Sequence, residues 1–180
     1  MEEEKQILRP TRILSGGQTG VDRAALDAAM LLGIAHGGWC PRGRPAEDGA
    51  IPAKYELKEM SSSHYSDRTE RNVLDSDATL ILHQGEIGGG TLLTQKLAER
   101  HGRPWLAVNL NTPACKVEVH RWLQTHSVKT LNIAGPRESQ NPGIGQLAQK
   151  YLLTLFDREE DRRPEISQNR CPNSGSQNTR

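Results

Sequence analysis

Aromatic side chains are scarce in this 180-residue chain, with three Trp, three Tyr and one Phe. So few rings do not build the stacking platform that single-stranded nucleic acid needs. An excess of one charge is also missing. Lys and Arg number 23 against 22 Asp and Glu, a formal net charge of +1. A protein that reads the phosphate backbone needs a basic surplus, so no nucleic-acid partner is expected. Cysteine occurs only at Cys40, Cys115 and Cys171. The count is odd and no Cys-x-x-Cys pair exists, which excludes a disulfide framework and a cysteine zinc site. The spacing suits a reducing compartment. Long hydrophobic runs are absent too. The best stretch, residues 24–35, is interrupted by Asp27 and Gly33 and is too short to cross a bilayer. The start, Met1-Glu2-Glu3-Glu4-Lys5, is acidic and lacks the apolar region of a secretory signal. The expectation is a soluble cytoplasmic protein with no membrane partner.

What is plentiful is glycine, 17 residues in all. The length suits one domain with room for a tail. Residues 158–180 hold only Ile166 and Cys171 as apolar side chains. Such a segment buries too little to offset its ordering entropy. The expected division is an N-terminal extension at 1–10, a ligand-binding domain at 11–157 and a disordered tail at 158–180. Within the domain, short apolar runs alternate with helical spacing. Strands are expected at 11–14, near 34–38, and at 78–82, 104–108 and 128–134. Helices are expected after Gly20, from Asp67 to about Ser76, at 92–100, after Pro113 and from Ile144. The last is clearest, because Ile144, Leu147, Ala148, Tyr151, Leu152 and Leu155 form one face, with Asn141-Pro142 placed as cap and first-turn proline. Residues 39–52, rich in Gly and Pro, read as a long loop. This alternation predicts an α/β, Rossmann-like fold, a mostly parallel sheet with helices on both faces.

In such sheets ligands bind at the carboxyl ends of the strands, where three loops are expected. The first is Ser15-Gly16-Gly17-Gln18-Thr19-Gly20. Lying between a strand and a helix N-terminus, it offers amides and a helix dipole to an anion, typically phosphate. It is neither a Walker loop nor a dinucleotide fingerprint. A tight turn capped by Thr19 or Ser15 is the alternative, and the density of donors favours binding. Asp22 follows in the first helical turn, where it complements the dipole or meets a polar ligand edge. The second loop, Gly88-Gly89-Gly90-Thr91, forms a second anion cradle. The third, at 135–143, carries Arg137. Arg42, Arg44, Arg68, Arg71 and Arg137 are the cation candidates, with Arg71 and Arg137 weighted for their place near the loop edge. Asp48 belongs to a turn with a possible ligand contact, and Trp39 fills core or stacks on a heterocycle. His36 and Cys40 lack further metal ligands nearby, so no metal site is assigned. No catalytic residue is assigned from spacing.

Several stretches together resemble the molybdenum carrier family and are similar to algal molybdenum-cofactor carrier proteins. They are SGGQTGVD at 15–22, GWCPRGRPAEDGAIP at 38–52, RTERNVLDSDATLIL at 68–82, GGGT at 88–91 and NIAGPRES at 132–139. That family in turn resembles the lysine-decarboxylase-like, Rossmann-type nucleotide-binding superfamily, which includes phosphoribohydrolases. The resemblance implies a small phosphorylated heterocyclic ligand, with molybdenum cofactor foremost, and a homo-oligomer by analogy. The hydrolase pattern matches Arg71 as its catalytic arginine. Its Gly-Thr loop matches Gly88, Gly89, Gly90 and Thr91, but its glutamate position is Thr94, which cannot serve as a carboxylic acid–base. The expectation is therefore a binding or carrier protein. A nucleoside 5′-monophosphate phosphoribohydrolase is the alternative, with Arg71 catalytic, and a nucleotide sensor acting through its tail is the third reading. The expected ligand contacts are Ser15, Gly16, Gly17, Gln18, Thr19, Gly20, Asp22, Arg71, Gly88, Gly89, Gly90, Thr91 and Arg137.

Overall fold

The apolar run at 78–82 sits in the middle of a sheet, as its composition demands. Ala78, Leu80 and Leu82 are fully buried in one cluster. Thr79 and Ile81, also buried, face the other side, as the two-residue period of a strand requires. A computed structural model describes residues 9–157. In chain order its elements are β1 (Arg12–Leu14), α1 (Val21–Leu31), β2 (Ala35–Gly37), β3 (Trp39–Cys40), β4 (Pro45–Ala46), β5 (Gly49–Ala50), β6 (Lys58–Glu59) and α2 (Tyr65–Leu74). Then come β7 (Ala78–His83), α3 (Gly89–Arg100), β8 (Trp105–Asn109), α4 (Lys116–Thr125), β9 (Thr130–Ala134) and α5 (Ile144–Phe156). The expected tail and residues 1–8 of the expected N-terminal extension lie outside the described residues.

Five strands form one sheet in the order β2-β1-β9-β7-β8, and every pairing in it is parallel. On one face, Ile13, Leu80, Leu131 and Ile133 join the buried side chains of α1, α4 and α5. Fully burying each such aliphatic side chain contributes about 1.5–3 kcal/mol. On the other face, Val73 of α2 packs with Leu97 and Ala98 of α3, and Trp105 of β8 leans on them. This is the Rossmann-like α/β arrangement, helices on both sides of a parallel sheet. Across that second face runs a buried polar pair. Asn132 donates from Nδ2 to Thr79 Oγ1 at 3.2 Å, their residues being register partners on β9 and β7.

Four local expectations shift. The segment 39–52 is not plain loop. It carries β3, paired in parallel with β6, and the β4–β5 antiparallel hairpin. One side chain organises it: the Arg44 guanidinium donates to the carbonyls of Ile51, Leu57, Pro52 and Tyr55 at 3.0–3.2 Å. A hub of this kind leaves no periodicity in sequence. Helix α2 begins two residues before Asp67. Helix α3 begins at Gly89, so Gly89, Gly90 and Thr91 form its first turn, and the amides of Thr91 and Leu92 donate to Gly88 O at 3.1 and 3.2 Å. Helix α5 is not capped by Asn141-Pro142. Gly143 takes the N-cap position in the left-handed region. The Glu138 carboxylate accepts the amides of Gly143 and Gly145 at 2.5 and 3.1 Å, satisfying donors that a helix start leaves open. Among the described residues no helix is long and apolar enough to cross a membrane.

Candidate functional site

The loops following β1, β7 and β9 emerge at the carboxyl edge of the sheet. The first, at 15–20, is nearly all buried. Ser15 pins it to both neighbouring strands, its amide donating to Gly37 O at 3.0 Å and its hydroxyl to Ile133 O at 2.7 Å. Two of its glycines are needed for different reasons. Gly20 has a φ of 77°, and a Cβ there would stand 2.4 Å from Pro136 O, so the third loop packs directly on it. A Cβ at Gly16 would stand 1.4 Å from Arg68 Nη1. The space this glycine opens is filled by the protein's own guanidinium.

Asp22, in the first turn of α1, is 5% exposed. Its Oδ2 accepts from Arg68 Nη1 at 3.1 Å and, weakly, from the Gln18 amide at 3.4 Å. Burial pushes the Asp22 carboxyl above its usual range, and Arg68 opposes that rise. The dipole of α1 favours the ionised form as well. Arg68 comes from α2, one turn before the buried Asn72, so the two share its inward side. A cavity of about 10 Å³ lies here, lined by Gly16, Asp22, Arg68, Asn72, Thr94 and Asn132 among others. Among the described residues, two buried side-chain nitrogens have no hydrogen-bond partner, Arg68 Nε and Gln18 Nε2. The other end of Gln18 is engaged, since Oε1 accepts from the amides of Thr19 and Glu47 at 3.1 and 2.9 Å.

The remaining candidates divide into those near this pair and those elsewhere. Thr91 is buried and Gly88, Gly89 and Gly90 are exposed. Thr94, one turn further along α3, lines the cavity and donates to Gly90 O at 3.0 Å. A Cβ at Gly89 would come within 3.7 Å of Gln140, so the second and third loops meet. Arg137 lies 5.3 Å from the centre of the Tyr65 ring, on the helix that carries Arg68. Thr19 donates to Glu47, whose carboxylate also accepts from the Ser139 hydroxyl at 2.5 Å and the Ser139 amide at 3.1 Å. The β4–β5 hairpin is thus tied to the first and third loops at once. Asp48 pairs with Arg23 through both oxygens. Arg71 points elsewhere. It pairs with Asp75 at 3.1 Å and covers Trp39 at 5.4 Å, and Trp39 donates from Nε1 to Asp75 at 2.8 Å. The weight placed on Arg71 passes, in position, to Arg68, three residues earlier. The signal available in sequence was the phase of α2, where the buried Thr69, Asn72 and Val73 mark the inner face. His36 accepts from the Glu56 amide at 3.4 Å. No group of three His, Cys, Asp or Glu that could hold a metal ion occurs among the described residues.

A model of the circularly permutated YpsA SLOG family matches residues 13–156. The chain belongs to this family. A crystal structure of a "Putative molybdenum carrier protein" from Syntrophus aciditrophicus SB is similar, at 47% sequence identity and a TM-score of 0.78, covering 82% of this chain and 94% of that one. No curated protein matches significantly. The strand order of this SLOG-family member places its last strand, β9, between β1 and β7. The first and third loops are brought side by side as a result, as the hydrogen bond from Val21 N to Pro136 O at 3.2 Å records.

Proposed function

We propose that this chain binds and carries a small oxyanion-bearing ligand, molybdenum cofactor or a related phosphorylated pterin or nucleotide, at the carboxyl edge of its sheet. The observation that carries the reading is the buried Arg68 Nε. It is a charged donor with no acceptor among the described residues, beside a glycine-lined loop. A buried charged donor left unpaired is costly, and an oxyanion supplies the missing acceptor. The backbone of the 15–20 loop and the N-terminus of α3, with Gly88, Gly89, Gly90 and Thr91, would face the anionic groups. Arg68 and Arg137 would neutralise them, and Gln18 would reach a polar edge. The similar structure named for molybdenum carriage supports the choice of cargo. Arg71 has no part in this reading.

Native mass spectrometry tests it, on protein purified from a cytoplasm that makes molybdenum cofactor. A bound molybdopterin mass supports the carrier reading, and a bound nucleotide moves the cargo to that class. A protein that is empty and also takes up no added molybdate, inorganic phosphate or adenosine 5′-monophosphate overturns it. A bulky residue at Gly89, as in Gly89→Leu, is expected to abolish uptake while the far-ultraviolet circular dichroism stays unchanged. Unaltered affinity in that variant would remove the α3 N-terminus from the site.

A further inference from the structure

The ligand-binding reading above leaves a steric problem at its centre. Glycine at position 16 brings backbone close to whatever lies beside it, and what lies there is Arg68. The cavity that remains, about 10 Å³, is of the order of one water molecule. A tetrahedral oxyanion is larger and enters only if the guanidinium gives way or changes partner. The partner it now has is Asp22, at 3.1 Å, with both side chains largely buried, 14% and 6% exposed. An oxyanion on Arg68 would set two buried anions against one buried cation, and a buried carboxylate that loses its counter-ion neutralises rather than stay charged.

We propose that Asp22 is a stand-in for the ligand's oxyanion. The incoming group takes over Arg68, and Asp22 accepts one proton from solvent on its carboxylate. One O–H bond forms on Asp22 Oδ2, and the proton comes from the acid form of the buffer. No other charged group competes for the role among the described residues lining this cavity. Helix α2 contributes Arg68, α3 contributes Thr94, β9 contributes Asn132 and the first loop contributes Gly16, while the Gln18 amide donates to the Asp22 carboxylate. The next charged residue of α1, Arg23, is held outside by Asp48 and by Gly17 O. Burial raises the carboxyl and Arg68 opposes that rise, so losing Arg68 removes the contact that most favours the ionised form. The empty site is thereby kept electrically balanced, and ligand capture becomes linked to pH.

The test is isothermal titration calorimetry of the full chain with adenosine 5′-monophosphate and, separately, with molybdate. Each titration is run near pH 7.5 in two buffers of unlike ionisation enthalpy. The expected result is uptake of about one proton per ligand, and affinity that weakens about tenfold per pH unit on the alkaline side. Asp22→Asn is expected to bind with no proton uptake and a flat pH profile. Wild-type binding without proton uptake, or with a flat profile from pH 6 to 9, overturns the proposal even if the variant fails to fold. Equal uptake by wild type and Asp22→Asn overturns it as well. Failure of both probes to bind wild-type protein overturns the ligand-binding reading along with it.

Discussion

Arg68 and Arg71 stand three residues apart on one helix and have opposite fates. Arg68 is folded over Gly16 and paired with a buried carboxylate. Arg71 makes an exposed i,i+4 pair with Asp75. Arg68→Ala is expected to destabilise the fold by about 3 kcal/mol, because it strands a buried carboxylate. Arg71→Ala is expected to cost less than about 1 kcal/mol. Urea unfolding of the two variants measures both. Gly16→Ala is expected to lose ligand uptake and about 1–3 kcal/mol, since the methyl group and Arg68 claim one space. Calorimetry and thermal melting read these separately. At this scale the sequence was half legible. The glycine loop showed in its order between an apolar run and a helix start, and Asp22 only as a first-turn carboxylate suited to the dipole. Arg68 did not, because α2 has too few apolar residues to reveal its inner face, and a motif match drew attention to Arg71 instead.

The β4–β5 hairpin holds the first and third loops together through a single carboxylate. Hydrogen bonds from Ser139 and Thr19 hold the Glu47 carboxyl below its ordinary value of 4.5. A carboxyl lowered in the folded state adds stability that is fully present above about pH 4.5 and is lost as pH falls through the folded value. Glu47→Gln is therefore expected to melt below the wild type at pH 7, with the gap closing towards pH 3. Melting curves across that range check it, and a gap that persists in acid would separate Glu47's effect from its charge. Helices α1, α4 and α5 were readable because apolar residues recur at their period. This hairpin was not. Its strands are two residues long, and its order comes from Arg44, which gathers carbonyls at 51–57, and from Glu47, whose partners lie elsewhere in the chain.

For the whole molecule, the parallel α/β class followed from continuous apolar strands such as β7, buried on both faces. The strand order did not follow, because nothing in the composition of residues 130–134 says which two strands they will join. Helix α5 closes the same assembly. Phe156, at its last turn, is fully buried in the cluster that holds Ile13 of β1 and Leu80 of β7. Phe156→Ala is expected to cost about 3–5 kcal/mol, measured by denaturant unfolding. A loss under 1 kcal/mol would mean that the end of α5 packs loosely and that the core closes without it.

The central place of β9 bears on how the protein is made. Translation delivers β1 and β2, then β7 and β8, and only afterwards the strand that joins the two pairs. Until residues 130–134 leave the ribosome, neither β1 nor β7 has the partner that joins them, so the five-stranded sheet cannot close. At about 5–20 residues per second this interval lasts several seconds. The strand that completes the sheet is thus nearly the last element of the domain to be made, and both of its pairings wait on it.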